Sequence, residues 1–72
     1  MKDWTLASDD EIGRAIMRHQ GRLDWAVMRL SQPDGLSRDA SIGLHVLAEA
    51  SHQWVRGLQM EQAYRAWKAG DE

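Results

Sequence analysis

The chain has no cysteine, no phenylalanine and no asparagine, and its 72 residues include a single proline. Without cysteine, neither a disulfide nor a cysteine-based metal site can stabilise the fold, and no thiol is available as a nucleophile. The longest nearly apolar run, residues 42–50, contains Gly43, His45 and Glu49 and is much too short to cross a membrane. The first residues lack the apolar segment of a secretory signal, so we expect a cytoplasmic protein that does not interact with membranes.

The residues that are present favour one folded domain over residues 1–72, with residues 1–7 as an N-terminal arm. Hydrophobic residues make up 43% of the chain and charged residues 28%, which is too apolar for a disordered segment. A chain of this length gains little stability from a single core, and without disulfides the usual remedy is self-association. We therefore expect a homodimer.

A capping box and a heptad-like repeat predict a first helix at about residues 9–31. Ser8 is the expected N-cap, and Glu11 stands three residues later. Apolar positions then recur at alternating spacings of four and three, which is typical of one buried helix side. This buried series consists of Ile12, Ile16, His19, Leu23, Ala26 and Leu30. Residues 32–36, with the run Pro33-Asp34-Gly35, predict a tight turn.

A second helix is predicted at about residues 38–69, with Ser37 as its N-cap. The short connection makes the two helices antiparallel neighbours, so the fold class is an all-α helical hairpin. Because the second helix is longer, its last two or three turns should extend past the first helix and carry Tyr64 and Trp67. The alternative is a break near Gly57 that gives a compact three-helix monomer.

The second helix has apolar residues on two sides. The series expected to face the first helix is Ala40, Leu44, Leu47, Ser51, Trp54 and Leu58. The other series, here called the outer stripe, lies roughly 120° away around the helix. It consists of Ile42, Val46, Ala50, Gln53, Gly57, Met60, Tyr64 and Trp67. Since one hairpin partner covers only one side, we expect the outer stripe to be the dimer interface of an antiparallel four-helix bundle.

The outward side of the first helix, here called the arginine face, concentrates the positive charge of a chain whose net charge is −2. It consists of Arg14, Met17, Arg18, Arg22, Trp25, Met28 and Arg29. It contains no lysine, and Arg, Trp and Met are enriched in protein interfaces. We expect it to bind a protein partner. The alternative is an ordinary solvated face, with ion pairs such as Asp10–Arg14 and with Trp25 covered by the arm.

These features predict a small non-enzymatic regulator, inhibitor or adaptor. Free-standing proteins of this size include phage and bacterial accessory proteins that modulate a host protein complex. The alternative function is an RNA-binding homodimer, in which the arginines contact phosphates and Trp25 stacks on bases. RNA is favoured over DNA as the nucleic acid, and the negative net charge argues against either.

No motif in the chain predicts catalysis, a cofactor or a metal site. Glu49-Ala-Ser-His52 has the E-x-x-H spacing of di-metal carboxylate bundles, but the inward-facing glutamates of such bundles are missing from the first helix. His45 and His52 are separated by about 10 Å along the helix, which is too far to share one ion. His19 belongs to the buried series, where its protonation near pH 6 to 7 would make dimer stability depend on pH.

Overall fold

A computed structural model describes residues 3–32 and 34–70, and these form an antiparallel helical hairpin. Helix α1 spans Asp9–Ser31 and helix α2 spans Arg38–Gly70. A 3₁₀ turn at Trp4–Leu6 precedes α1. The predicted all-α hairpin is therefore confirmed, with helix ends within one residue of those expected. The molecule is a rod of 54 × 23 × 15 Å, because a helix of this length alone extends about 50 Å.

Both helices begin at the predicted N-caps. The Ser8 hydroxyl oxygen accepts a hydrogen bond from the backbone N–H of Glu11 at 3.1 Å. The Ser37 hydroxyl oxygen accepts one from the N–H of Ala40, also at 3.1 Å. In each case the side chain satisfies a backbone donor that has no partner inside the helix. Two serines thus define where the helices start.

The turn between the helices is held by Arg29, from the last turn of α1. Its guanidinium donates hydrogen bonds to the carbonyl oxygens of Gln32 and Asp34, as basic side chains near a helix C-terminus commonly do. Gly35 has a φ of +80°, which glycine adopts without steric cost. Pro33, the centre of the predicted turn, lies outside the described residues.

The core is a narrow seam between the two helices. Every member of the predicted α1 series is buried or half-buried, and Ile12 is fully buried. Ile12 packs with Ala7, Ala15 and Leu58 in a cluster near the end of the rod that carries the 3₁₀ turn. The heptad-like pattern therefore identified the buried side of α1 correctly.

The buried side of α2 differs in detail from the predicted series. Val55 is buried although it belongs to neither series, whereas Ala40 and Trp54 are exposed. A straight helix has 3.6 residues per turn, so a repeat of seven drifts by about 20° per heptad. The drift carries Trp54 to the edge of the seam and brings Val55 into it. Ala40 is exposed because it lies in the first turn of α2, at the end of the seam.

Helix α2 continues without a break through Gly57 to Gly70, so the three-helix alternative is wrong. One glycine inside a helix costs about 1 kcal/mol relative to alanine. That cost is too small to interrupt a helix whose hydrogen bonds continue for three further turns.

The N-terminal 3₁₀ turn packs against the part of α2 that extends beyond α1. The Arg65 guanidinium forms an ion pair with Asp9, the first residue of α1, at 2.8 Å. It also donates hydrogen bonds to the carbonyl oxygens of Trp4 and Thr5. The Arg65 side chain therefore ties the 3₁₀ turn and the start of α1 to this part of α2. Tyr64 and Trp67, the two aromatic residues expected on the extension, are both more than half exposed.

Candidate protein-interaction surfaces

The arginine face lies on the side of α1 opposite the core, and its apolar members are uncovered. Met17 is 76% exposed, Trp25 52% and Met28 54%. The side chains of Arg14, Arg18 and Arg22 are exposed as well. At about 1.5 Å per residue these three arginines span about 12 Å of the helix. They place three cations along one side of an apolar strip.

These three guanidinium groups form no hydrogen bond or ion pair with any residue in 3–32 or 34–70. The Asp10–Arg14 pair of the solvated-face alternative is therefore not formed. The 3₁₀ turn, which was the candidate cover for Trp25, packs against α2 instead. Arg29 differs from the other arginines, because it is half-buried and already bonded to the turn.

The outer stripe is the second uncovered surface. Its large apolar side chains, Ile42, Val46, Met60, Tyr64 and Trp67, are between 53% and 66% exposed. Ala50, Gln53 and Gly57 in the middle of the stripe are exposed too. The Tyr64 and Trp67 rings lie 6.1 Å apart at its far end. No residue within the described ranges covers this side of α2.

A groove of about 540 Å³ runs beside the middle of the outer stripe. The aromatic side chains of Trp4 and Trp54, the small residues Ala50 and Gly57, and Glu61 are among the residues that line it. The sequence patterns did not identify this groove, because Trp4 reaches α2 only through the fold of the N-terminal arm.

Three aromatic side chains stack next to this groove, across the seam between the helices. The His19 and Trp54 rings are nearly parallel, at 7° and 5.3 Å, and Trp4 meets Trp54 edge-on at 6.2 Å. Burial lowers the pKa of His19, and the charges of Arg22 and Arg18 lower it further. The neutral imidazole is therefore the form that this stack favours.

The remaining predictions concern metals and membranes. Within residues 3–32 and 34–70, no three histidine, aspartate or glutamate side chains are close enough to hold a metal ion. Neither helix contains, in the part of the chain that the structure describes, a stretch apolar enough to span a bilayer. His45 and His52 are exposed on α2, away from the core.

Comparison with known proteins provides no template for either surface. No protein-family profile, curated protein or solved structure matches this chain.

Proposed function

We propose that this protein is a non-enzymatic binding protein whose arginine face recognises an acidic surface on a protein partner. The observation that carries this proposal is the set of three guanidinium groups, Arg14, Arg18 and Arg22, that have no partner within the described chain. They line one side of an exposed Met and Trp strip. This pattern suits a regulator, inhibitor or adaptor of a protein complex, such as a phage or bacterial accessory protein.

The chemistry of the face defines the partner. A guanidinium presents a planar set of donors that binds a carboxylate through two parallel hydrogen bonds, and it needs no proton transfer to do so. Trp25 offers a large rigid apolar surface, and the flexible Met17 and Met28 adapt to the contour beside it. We expect a partner with an apolar pocket for Trp25, and with two or three carboxylates along one edge of that pocket.

The surrounding charge supports a protein over RNA as the partner. Asp10 and Asp24 lie on the exposed surface of the same helix, and the whole chain carries a net charge of −2. Affinity for nucleic acid depends on the number of phosphates neutralised, and three arginines per chain neutralise few. A protein partner needs only local complementarity, so these acidic neighbours cost it less.

The test uses the immobilised full chain and lysates cleared with and without nuclease. A protein retained in both lysates is identified, and its Kd is measured against single variants. Trp25→Ala should weaken binding by about 30-fold or more, the effect of losing a central apolar anchor. Arg18→Glu should weaken it further and should reduce its salt dependence, while Arg14 and Arg22 remain.

Two exposed residues on other surfaces serve as matched controls. Trp67→Ala removes a tryptophan from the end of α2, and Arg56→Ala removes an exposed arginine from α2; both should leave the Kd unchanged. Co-purifying RNA that disappears in the Arg14→Ala, Arg18→Ala double variant would replace the proposal with the RNA-binding alternative. Equal losses in Trp25→Ala and Trp67→Ala would also contradict it.

A further inference from the structure

We propose that a second copy of this chain covers the outer stripe, with the two α2 helices packed antiparallel and centred near position 55. The stripe extends over about 38 Å of α2, and five of its side chains are more than half exposed apolar groups. The following features of α2 identify the occupant as the same helix in the opposite direction.

Reversal of the stripe places small residues opposite large ones. In an antiparallel pair centred on position 55, residues equally distant from that position face each other. Ala50 of one copy then faces Met60 of the other, and Gln53 faces Gly57. Val46 faces Tyr64 at either end of the contact. The three pairs each set a smaller residue against a larger one, as a self-complementary, two-fold interface requires.

Charges beside the stripe also favour the antiparallel direction. Asp39 and Lys68 lie on the same edge of the stripe, close to its two ends. Both are exposed, and neither forms an ion pair with the described residues. In the antiparallel pair, Lys68 comes within about one helical turn of the partner's Asp39, and the contact occurs twice. In a parallel pair, Lys68 and the partner's Asp39 would lie at opposite ends of the contact, too far apart to form an ion pair.

The small residues near the centre are not explained by packing within the chain. A Cβ atom built on Gly57 would have no neighbour within 4 Å, so nothing in the hairpin requires glycine there. Gly57 differs from the exposed Gly21 in lying within an apolar stripe, where a small residue lets a second helix approach closely.

The angle between the two apolar sides of α2 determines the shape of the dimer. The residues of α2 that are buried against α1, centred on Ser51 and Val55, lie about 160° around the helix from the outer stripe. A compact square bundle needs two contact sides about 90° apart. We therefore infer a flat row in the order α1, α2, α2, α1, with neighbouring axes about 8 to 10 Å apart. The two arginine faces then lie on opposite outer edges, where both can bind a partner.

Sedimentation equilibrium from low micromolar to millimolar concentration tests the dimer. The unaltered chain should dimerise, and Gly57→Leu should raise the dimer Kd by about 10-fold to 100-fold, because a large side chain separates the helices. Gly21→Leu is the matched control, since Gly21 is an exposed glycine on α1 with no neighbour within 4 Å; its Kd should not change. A strict monomer at every concentration, or equal effects of the two variants, would overturn the proposal.

Oxidative cross-linking tests the direction, and the absence of native cysteine removes any background. A mixture of Val46→Cys and Tyr64→Cys chains should form a disulfide-linked heterodimer, whereas neither variant alone should cross-link efficiently. As a control, His52→Cys, which is exposed on α2 outside the stripe, replaces Tyr64→Cys in the mixture and should not cross-link efficiently. Efficient cross-linking of Val46→Cys alone would indicate a parallel pair and would refute the register. Neither experiment involves partner binding by α1, so each proposal can fail independently.

Discussion

The two helices differ in how many of their sides are apolar. Helix α1 places its apolar series on one side, buries it against α2 and presents arginines on the other side. Helix α2 is apolar on two sides, and the described chain buries only one of them. Packing within one hairpin therefore accounts for the buried series of α1, but it explains neither the outer stripe of α2 nor the exposed Met17, Trp25 and Met28 of the arginine face. Exposed apolar patches of this kind usually mark an interface.

The largest expected effect concerns two isoleucines, one buried in the core of the hairpin and one exposed on the outer stripe. Ile12 is fully buried and Ile42 is 53% exposed. Ile12→Ala should lower the free energy of unfolding by about 2 to 4 kcal/mol, because it leaves a cavity in the core cluster beside Ala15 and Leu58. Ile42→Ala should cost at most about 0.5 kcal/mol in dilute solution.

Urea denaturation at several protein concentrations measures both effects. The Ile12→Ala loss should not depend on concentration, whereas the Ile42→Ala loss should grow where the dimer is populated. Equal losses in dilute solution would show that the outer stripe is packed within a single chain.

A second prediction concerns the end of the rod that the 3₁₀ turn covers. Arg65 contacts Asp9, Glu61 and the carbonyl oxygens of Trp4 and Thr5. Arg65→Met keeps the aliphatic stem and removes every one of these bonds. We expect the arm to detach while both helices persist, since the helices bury Ile12 and Leu58 independently of the ion pair.

Hydrogen exchange measures this detachment directly. The backbone N–H groups of Leu6 and Ala7, which donate within the 3₁₀ turn, should exchange faster in Arg65→Met, with little change in the middle of α2. Arg56→Met, which alters an exposed arginine of the same helix, provides the reference. Unchanged protection at Leu6 and Ala7 would mean that Trp4 alone holds the arm.

The third prediction uses glycine-to-alanine exchanges on the two helices. A Cβ at Gly21 or at Gly57 meets nothing within 4 Å. Each exchange should therefore raise the stability of the monomer by about 0.5 to 1 kcal/mol through helix propensity alone. Thermal unfolding in dilute solution should show the same gain for both. A loss of stability at Gly57 in dilute solution would place a close contact inside the hairpin and would contradict an open outer side of α2.

The smallest expected effect is the pH dependence that His19 contributes. Its pKa is lower in the folded chain than in the unfolded chain, because of burial and of Arg22 and Arg18. At pH values between these two pKa values, the unfolded state therefore binds more protons than the folded state does. The contribution of His19 to the free energy of unfolding should be fully present above about pH 6.5, and it should be lost as the pH falls below that value.

Denaturation at about pH 7.5 and about pH 5.5 measures this contribution. His19→Gln should reduce the difference in stability between the two pH values. His52→Gln, at an exposed position, should leave it unchanged. An identical difference in all three proteins would assign the pH dependence to other groups.

The features of the fold that could be predicted are those set by residues close together in the sequence. The N-caps Ser8 and Ser37 satisfy backbone groups three residues away, so the sequence alone located both helix starts. The α1 seam was predictable because its apolar series matches a helical period. The burial of Val55 in place of Trp54 on α2 was not predictable, because a heptad repeat ignores the drift of a straight helix.

The candidate surfaces divide in the same way. The arginine face and the outer stripe are each one side of one helix, so residue spacing was enough to list their members. The role of Arg29 in the turn, and the contacts of Arg65 with the arm, depend on residues brought together by folding. The stack of Trp4, Trp54 and His19 joins three elements, and no spacing along the chain predicts it.

The sequence by itself determined two antiparallel helices, their starting points and the two apolar sides of α2, because capping and periodicity act over a few residues. Only the tertiary structure decided that α2 continues through Gly57, that the arm packs against it near Arg65, and that Arg14, Arg18 and Arg22 have no partner among residues 3–32 and 34–70. These outcomes depend on which side chains meet across the hairpin, and contacts between residues far apart in the chain are not encoded in local spacing.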